Sequence, residues 1–249
     1  MISKNKIKAI KALEQKKNRN AENRFMAEGP KVVEDLLQNY KPRTIVALKE
    51  WLQDKNFSQD VEVIDVTQEE LQKVSLLQHP QQVLAIMDIP SHDTTLLPPT
   101  NALSLALDGV QDPGNMGTII RIADWFGIEN IYCSPDTVDA YNPKVVQATM
   151  GSLARVNIIY TDLKKITDSM PQDYPIYGTL LDGEDIYTHT LTPSGLIIMG
   201  NEGNGISPEI RKKINNKLLI PNYPANRPTA DSLNVAIATA IVCSEFRRR

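Results

Sequence analysis

Cysteine and histidine are nearly missing from this 249-residue chain, which has two Cys (Cys133, Cys243) and three scattered His (His79, His92, His189). Neither set shows C-x-x-C or another metal-ligand spacing, so neither a disulfide nor a bound metal is expected. Long apolar runs are missing too. The longest, 235–243, falls far short of the ~20 residues that cross a bilayer, and the Lys-rich start lacks the apolar centre of a signal peptide. A cytoplasmic protein without membrane contact is the expectation. No segment is of low complexity and nothing repeats. Two glycine signatures are incomplete. The chain has no G-x-G-x-x-G turn between a strand and a helix, which counts against Rossmann-type dehydrogenases and methyltransferases. Gly200 and Gly205, followed by Ile206 and Ser207, fit the phosphate-loop spacing except that Ile206 stands where a lysine must meet the phosphates, which counts against an NTPase.

An apolar fraction of 41% is enough for proper cores. The net charge is only −3, but its distribution is uneven. Residues 1–24 hold eight Lys/Arg against Glu14 and Glu22, and the chain ends in Arg247, Arg248 and Arg249. Basic ends on a near-neutral chain are the footprint of docking on phosphates; a solvated helix face gives the same pattern.

Helical spacing of Ile7, Ile10 and Leu13 predicts a basic amphipathic helix over 2–17. The stretch 24–38 is amphipathic, breaks at Gly29 and continues as helix from Pro30. Strands are expected at 44–48, 61–66 and 83–87, with a helix at 68–77. Residues 89–101, rich in Pro, Ser and Thr, form a linker. Beyond it come strands at 103–107, 128–133, 156–160 and 176–181, with helices from Asn115 onward, at 143–153 and at 163–170. Alternation of this kind predicts an α/β fold in two domains: a small α/β unit at 1–90, a linker at 91–101, and at 102–249 a mostly parallel sheet with helices on both faces.

The densest signal lies at 196–234. A buried-strand run at 196–199 leads into a glycine turn (Gly200, Gly203, Gly205), then a short strand at 218–221, a proline-rich loop and an Ala-rich helix. Loops leaving the carboxyl ends of neighbouring parallel strands converge in a crevice where open α/β sheets bind ligands. Ser207 and Pro208 read as helix cap and first helical residue. A tight turn requires the glycines but does not explain Asn201 and Glu202 between them. Arg121 lies one helical turn beyond Gly117, near a helix N-terminus suited to an anion. Without further information Arg121 is an ordinary surface residue, Asn115 a helix cap, and Ser232 the cap of the final helix.

MGNEGNGIS, then IP and SLNVA, resembles the second and third motifs of the SpoU (TrmH-type) RNA ribose methyltransferases of the SPOUT superfamily. LDGVQDPGNMGTIIRIADWFGI resembles the first, with Asn115 and Arg121 six positions apart. The segment RFMAEGPKVVEDLL is similar to the N-terminal substrate-binding domain found in part of that family, an α/β/α sandwich. The resemblance implies a trefoil-knotted C-terminal domain and a homodimer, for which the small residues Ala236, Ala238 and Ala240 offer a close-packing surface. It also implies methyl transfer from S-adenosylmethionine to a ribose 2′-hydroxyl, in ribosomal RNA rather than tRNA. Backbone groups around Gly200, Ile220 and Leu233 would hold the donor. Arg121 would be the catalytic residue, as a base or as a clamp on a phosphate, with Asn115, Glu202, Ser232 and Asn234 around it and Glu202 fixing Arg121 or the RNA. A tRNA 2′-O-methyltransferase and a non-catalytic RNA-binding or assembly protein of the same fold are the rival readings. One departure from the family pattern is the longer link NYPANRPTAD before SLN, where Arg227 is either an RNA contact or a plain loop residue.

Overall fold

The computed structural model describes residues 2–91, 96–224 and 230–248; Arg227, Pro228 and part of the linker lie outside them. The chain forms two compact units, one of residues 1–91 with 139–155, the other of residues 92–138 with 156–249.

In the first unit, Ser3 caps α1 (Lys4–Ala12) by accepting from the Lys6 amide. The single helix expected at 2–17 is two helices, because the chain turns at 13–15 before α2 (Lys16–Glu22). Side chains of α2 replace the next helical turn: Asn18 donates to the Ala12 carbonyl and Arg19 to those of Leu13 and Glu14. These are carbonyls that a helix end otherwise leaves without partners.

β1 (Arg24–Glu28) follows, where the amphipathic pattern suggested helix. It pairs antiparallel with β4 over its whole length, from Arg24↔Asp88 to Glu28↔Leu84, so tertiary pairing overrides local propensity. Gly29, at φ +87°, turns the chain into α3 (Pro30–Leu36). Then come β2 (Pro42–Ala47), α4 (Lys49–Leu52), β3 (Glu62–Asp65), α5 (Gln68–Val74) with a Thr67/Glu70 capping box, and β4 (Val83–Asp88). The sheet order is β1-β4-β2-β3. Ile10, Leu13, Leu71 and Val74 pack on Met26, Val46, Leu84 and Ile86 at one face. Phe25 meets the rings of Tyr40 and Tyr141 at 5.3 and 4.9 Å.

The second unit begins with β5 (Leu103–Asp108). Asp112 caps α6 (Pro113–Trp125), its carboxylate accepting from the Asn115 amide at 2.7 Å, and Pro113 occupies the first helical position. After β6 (Asn130–Cys133) the chain leaves this unit. Its residues 139–155, with α7 (Pro143–Ala148) and a 3₁₀ turn at Ser152–Ala154, pack in the first unit. There the Asn39 amide donates to the Ala154 carbonyl at 2.7 Å and the Tyr40 hydroxyl to that of Leu153. The helix expected at 143–153 is therefore shorter and serves the other unit's core.

The rest of the second unit is β7 (Asn157–Tyr160), α8 (Leu163–Asp168), β8 (Ile176–Asp185), β9 (Gly195–Gly200), α9 (Pro208–Arg211), β10 (Asn216–Leu219) and α10 (Val235–Arg248). The strand order is β10-β8-β9-β5-β6-β7 and every neighbouring pair is parallel. β5 and β9 each bury every residue but the last, as strands covered on both faces do. The strand expected at 176–181 runs on to Asp185, and it is interrupted, since Gly178 opposes Lys217 whereas Glu184 opposes Leu218. Residues 179–183 thus leave the ladder and arch outward.

Candidate active site

β5 and β9 run in register from Leu103↔Gly195 to Asp108↔Gly200, so the loops after Asp108 and Gly200 emerge side by side. The second loop folds back on itself through a two-residue antiparallel bridge, Asn201 with Gly205, their amides and carbonyls exchanging bonds at 3.0 Å. Two glycines permit this. A Cβ on Gly200 would strike the Gly205 carbonyl carbon and the Ile206 nitrogen, and Gly205 sits at φ +68°. The Asn201 side chain completes the turn: its carbonyl accepts from the Gly203 and Asn204 amides at 2.9 and 3.0 Å, while its NH2 donates to the Gly109 carbonyl at 2.6 Å. A second tie is made by Asp108, whose carboxylate accepts from the Ser207 amide at 2.7 Å. Ser207 precedes α9 as expected but makes no side-chain capping bond.

The turn aims Glu202 at the start of α6. Its carboxylate accepts from the Gln111 and Asp112 amides, both at 3.4 Å, and from the Asn115 NH2 at 3.0 Å. Asn115 in turn accepts from Asn234 at 2.9 Å, and Asn234 caps α10 by accepting from the Ala236 and Ile237 amides. Asn234, not Ser232, is therefore the cap of the last helix. The network Glu202–Asn115–Asn234 joins three segments that lie far apart in sequence.

Two expectations are met differently. The N-terminus of α6 already holds two carboxylates, Asp112 and Glu202, and so does not offer itself to a phosphate. Glu202 does not hold Arg121. Arg121 is exposed on α6 and makes no hydrogen bond or ion pair among the described residues.

Beside the network lies a cleft of about 510 Å³, within the ~300–1,000 Å³ typical of small-molecule sites. Gly200, Glu202, Ile220, Ser232 and Leu233 line it, so the structure brings the expected donor-site residues together. The arch at 179–183 supplies one wall through Leu180, Leu181 and Asp182; this wall was not visible in the sequence. Asn115 and Asn234 stand behind Glu202. Of the charged groups on the lining, Asp182, Glu202 and Asp231 outnumber Arg211. Asp182 is held below the usual carboxylate range by hydrogen bonds from Lys217 and Arg211. A net-acidic cleft with apolar walls disfavours a triphosphate and suits a cationic ligand with a flat apolar part. A sulfonium nucleoside such as S-adenosylmethionine fits that description. The described residues contain no cluster of His, Cys, Asp and Glu able to hold a metal.

An α/β unit of this topology carries two loops folded together at the ends of β5 and β9 beside a cleft sized for a small molecule. The SpoU rRNA Methylase family matches residues 102–244, more than half of the chain, and the chain belongs to that family. Residues 4–85 match the MRM3-like substrate binding domain. The 23S rRNA (guanosine(2553)-2′-O)-methyltransferase RlmP of Bacillus subtilis is 30% identical across 97% of this chain and 96% of its own length. Among solved structures, a TrmH-family protein from Porphyromonas gingivalis is 40% identical, with a TM-score of 0.89 over 100% of this chain and 99% of its own. The AdoMet-bound rRNA methyltransferase from Sinorhizobium meliloti is 32% identical, with a TM-score of 0.89 over 100% and 97% of the two chains. The shared fold implies the trefoil knot.

Proposed function

We propose that this protein transfers the methyl group of S-adenosylmethionine to a ribose 2′-hydroxyl of ribosomal RNA. The observation that carries the reading is the Glu202–Asn115–Asn234 network set against the cleft lined by Gly200, Ile220 and Leu233. Bound there, S-adenosylmethionine supplies a methyl group made electrophilic by its sulfonium. Backbone groups at Gly200, Ile220 and Leu233 hold the donor, and Glu202 complements its positive charge. Glu202, fixed by three donors, keeps the turn after β5 and the start of α6 in one position, so the acceptor meets a rigid wall. Arg121, exposed and uncommitted, clamps the phosphate beside the target ribose; a guanidinium keeps its charge at any ordinary pH, which makes it a better clamp than base. The N-terminal unit binds RNA, and the protein works in the cytoplasm.

A homodimer is part of the proposal. Trp125 on α6 and Ile237 on α10 are 84% and 53% exposed, on helices that pack together, and two copies would cover them. Ala236 is already buried within the chain, so the small-residue stripe is spent partly on intrachain packing.

The test is tritium transfer from labelled S-adenosylmethionine to 23S ribosomal RNA, with Arg121→Ala as control and the guanosine that RlmP modifies as the first position mapped. Titration calorimetry should show micromolar binding of S-adenosylmethionine and no heat from ATP. Heat from ATP alone would sink the assignment.

A further inference from the structure

In the first unit, Lys6, Lys31, Lys41, Lys55 and Arg43 are all engaged by carboxylates. Lys4, Lys8, Lys11, Lys16 and Lys17 are different: all five are exposed, and none has an ion pair or side-chain hydrogen bond among the described residues. Lys4, Lys8 and Lys11 recur at i, i+4 and i+7, one stripe about 10 Å long on α1, turned away from the buried Ile10. Lys16 and Lys17 open α2, just past the corner.

That corner is held from inside. Arg19 is 1% exposed; its guanidinium donates to the Leu13 and Glu14 carbonyls at 2.8 and 2.7 Å and to the Asp139 carboxylate at 3.0 and 2.6 Å. A buried guanidinium is costly unless its donors are met, and here four of its five N–H donors have partners. What the arrangement secures is shape. The end of α1 and α2 are tied to each other and to residue 139, so Lys11, Lys16 and Lys17 project from a cross-linked corner, which lowers the ordering cost of binding.

We propose that this α1–α2 corner is the surface through which the N-terminal unit grips RNA phosphates, with Arg19 as the buried residue that positions it. The proposal rests on the RNA methyltransferase reading above. Five exposed cations, none with a close ion pair among the described residues, suit the spaced charges of an RNA backbone, and such contacts anchor an RNA without reading its bases.

The experiment compares full-length wild type with a corner variant, Lys11→Gln/Lys16→Gln, and a charge-matched control, Lys49→Gln/Lys73→Gln. Lys49 and Lys73 are also exposed, on α4 and α5 rather than on α1 or α2. Binding to a fluorescein-labelled stem-loop of 23S ribosomal RNA is followed by anisotropy across a salt series, and circular dichroism with urea denaturation verifies that each variant is folded. The corner variant should bind roughly tenfold more weakly at moderate salt, its log K against log salt slope reduced by about 1.5, with the control unchanged. An unchanged slope in the corner variant, or equal losses in both variants, would overturn the proposal while leaving the enzymatic reading intact. Wild type that neither binds nor methylates RNA would remove both.

Discussion

The Asn201 side chain donates to the Gly109 carbonyl at 2.6 Å while accepting from two amides of its own turn. One amide group thereby joins the loop after β9 to the loop after β5 and sets where Glu202 lands.

Asn201→Asp keeps the accepting oxygen and replaces the donor with a second acceptor facing a carbonyl. The turn should survive and the tie to Gly109 should not. A lost hydrogen bond with two acceptors left facing each other costs about 1–3 kcal/mol. Steady-state methyl transfer should show kcat falling at least tenfold, while the KM for S-adenosylmethionine moves much less. A change confined to KM would refute this role for the clamp.

Asn115 both donates to Glu202 and accepts from Asn234. Asn115→Ala deletes the relay, whereas Asn115→Asp also sets a second negative charge against Glu202. The aspartate variant should be the less active of the two although it is nearer in shape, and its deficit should shrink in high salt as the repulsion is screened. Equal activities would mean that Glu202 is not placed by Asn115.

Arg121 makes no bond among the described residues, so its removal has little to unfold. Arg121→Ala should shift stability by no more than about 0.5 kcal/mol in urea denaturation, the range for exposed positions free of partners. Activity should fall by two orders of magnitude or more. Arg121→Lys should recover only a small part, because an ammonium cannot reproduce two-point contact with a phosphate. Full activity in the lysine variant would favour simple charge over clamping.

Glu28 is buried, and desolvation raises its pKa above 4.5 despite hydrogen bonds from Ser75 and the Leu76 amide. The folded state therefore holds this proton more tightly than the unfolded state. Stability from this group is complete below about pH 4.5 and is lost as pH rises through the folded pKa. Glu28→Gln, which mimics the protonated acid, should raise the urea midpoint at pH 8 relative to wild type, and the gain should vanish near pH 4. A gain of equal size at both pH values would assign the effect to packing instead.

What the sequence disclosed follows from how local each signal is. β5 and β9 are covered on both faces, so burial writes an unbroken apolar run that needs no partner to be recognised. That Gly200, Ile220 and Leu233 meet at one cleft was legible because glycine spacing marks a turn at a strand end and the motifs supplied the rest. β1 was hidden: Arg24–Glu28 takes its strand conformation from β4, some sixty residues later. The arch at 179–183 was hidden for a similar reason, since it exists only as a jump in register against β10. Arg19 entered only as one of eight basic residues in 1–24, and nothing in its neighbourhood announces that Asp139 closes over it.

The dependence of the first unit on residues 139–155 sets the order of events during synthesis. When the chain has been made as far as residue 91, its sheet is available but Phe25 lacks Tyr141, and Arg19 lacks Asp139. β5 must likewise wait for β9, which is made some ninety residues after it. Neither half of the protein is complete when its own stretch of messenger has been read, and contacts so distant in sequence close slowly. The nascent chain thus carries exposed sheet edges through most of translation, and early termination anywhere before residue 155 leaves neither unit whole.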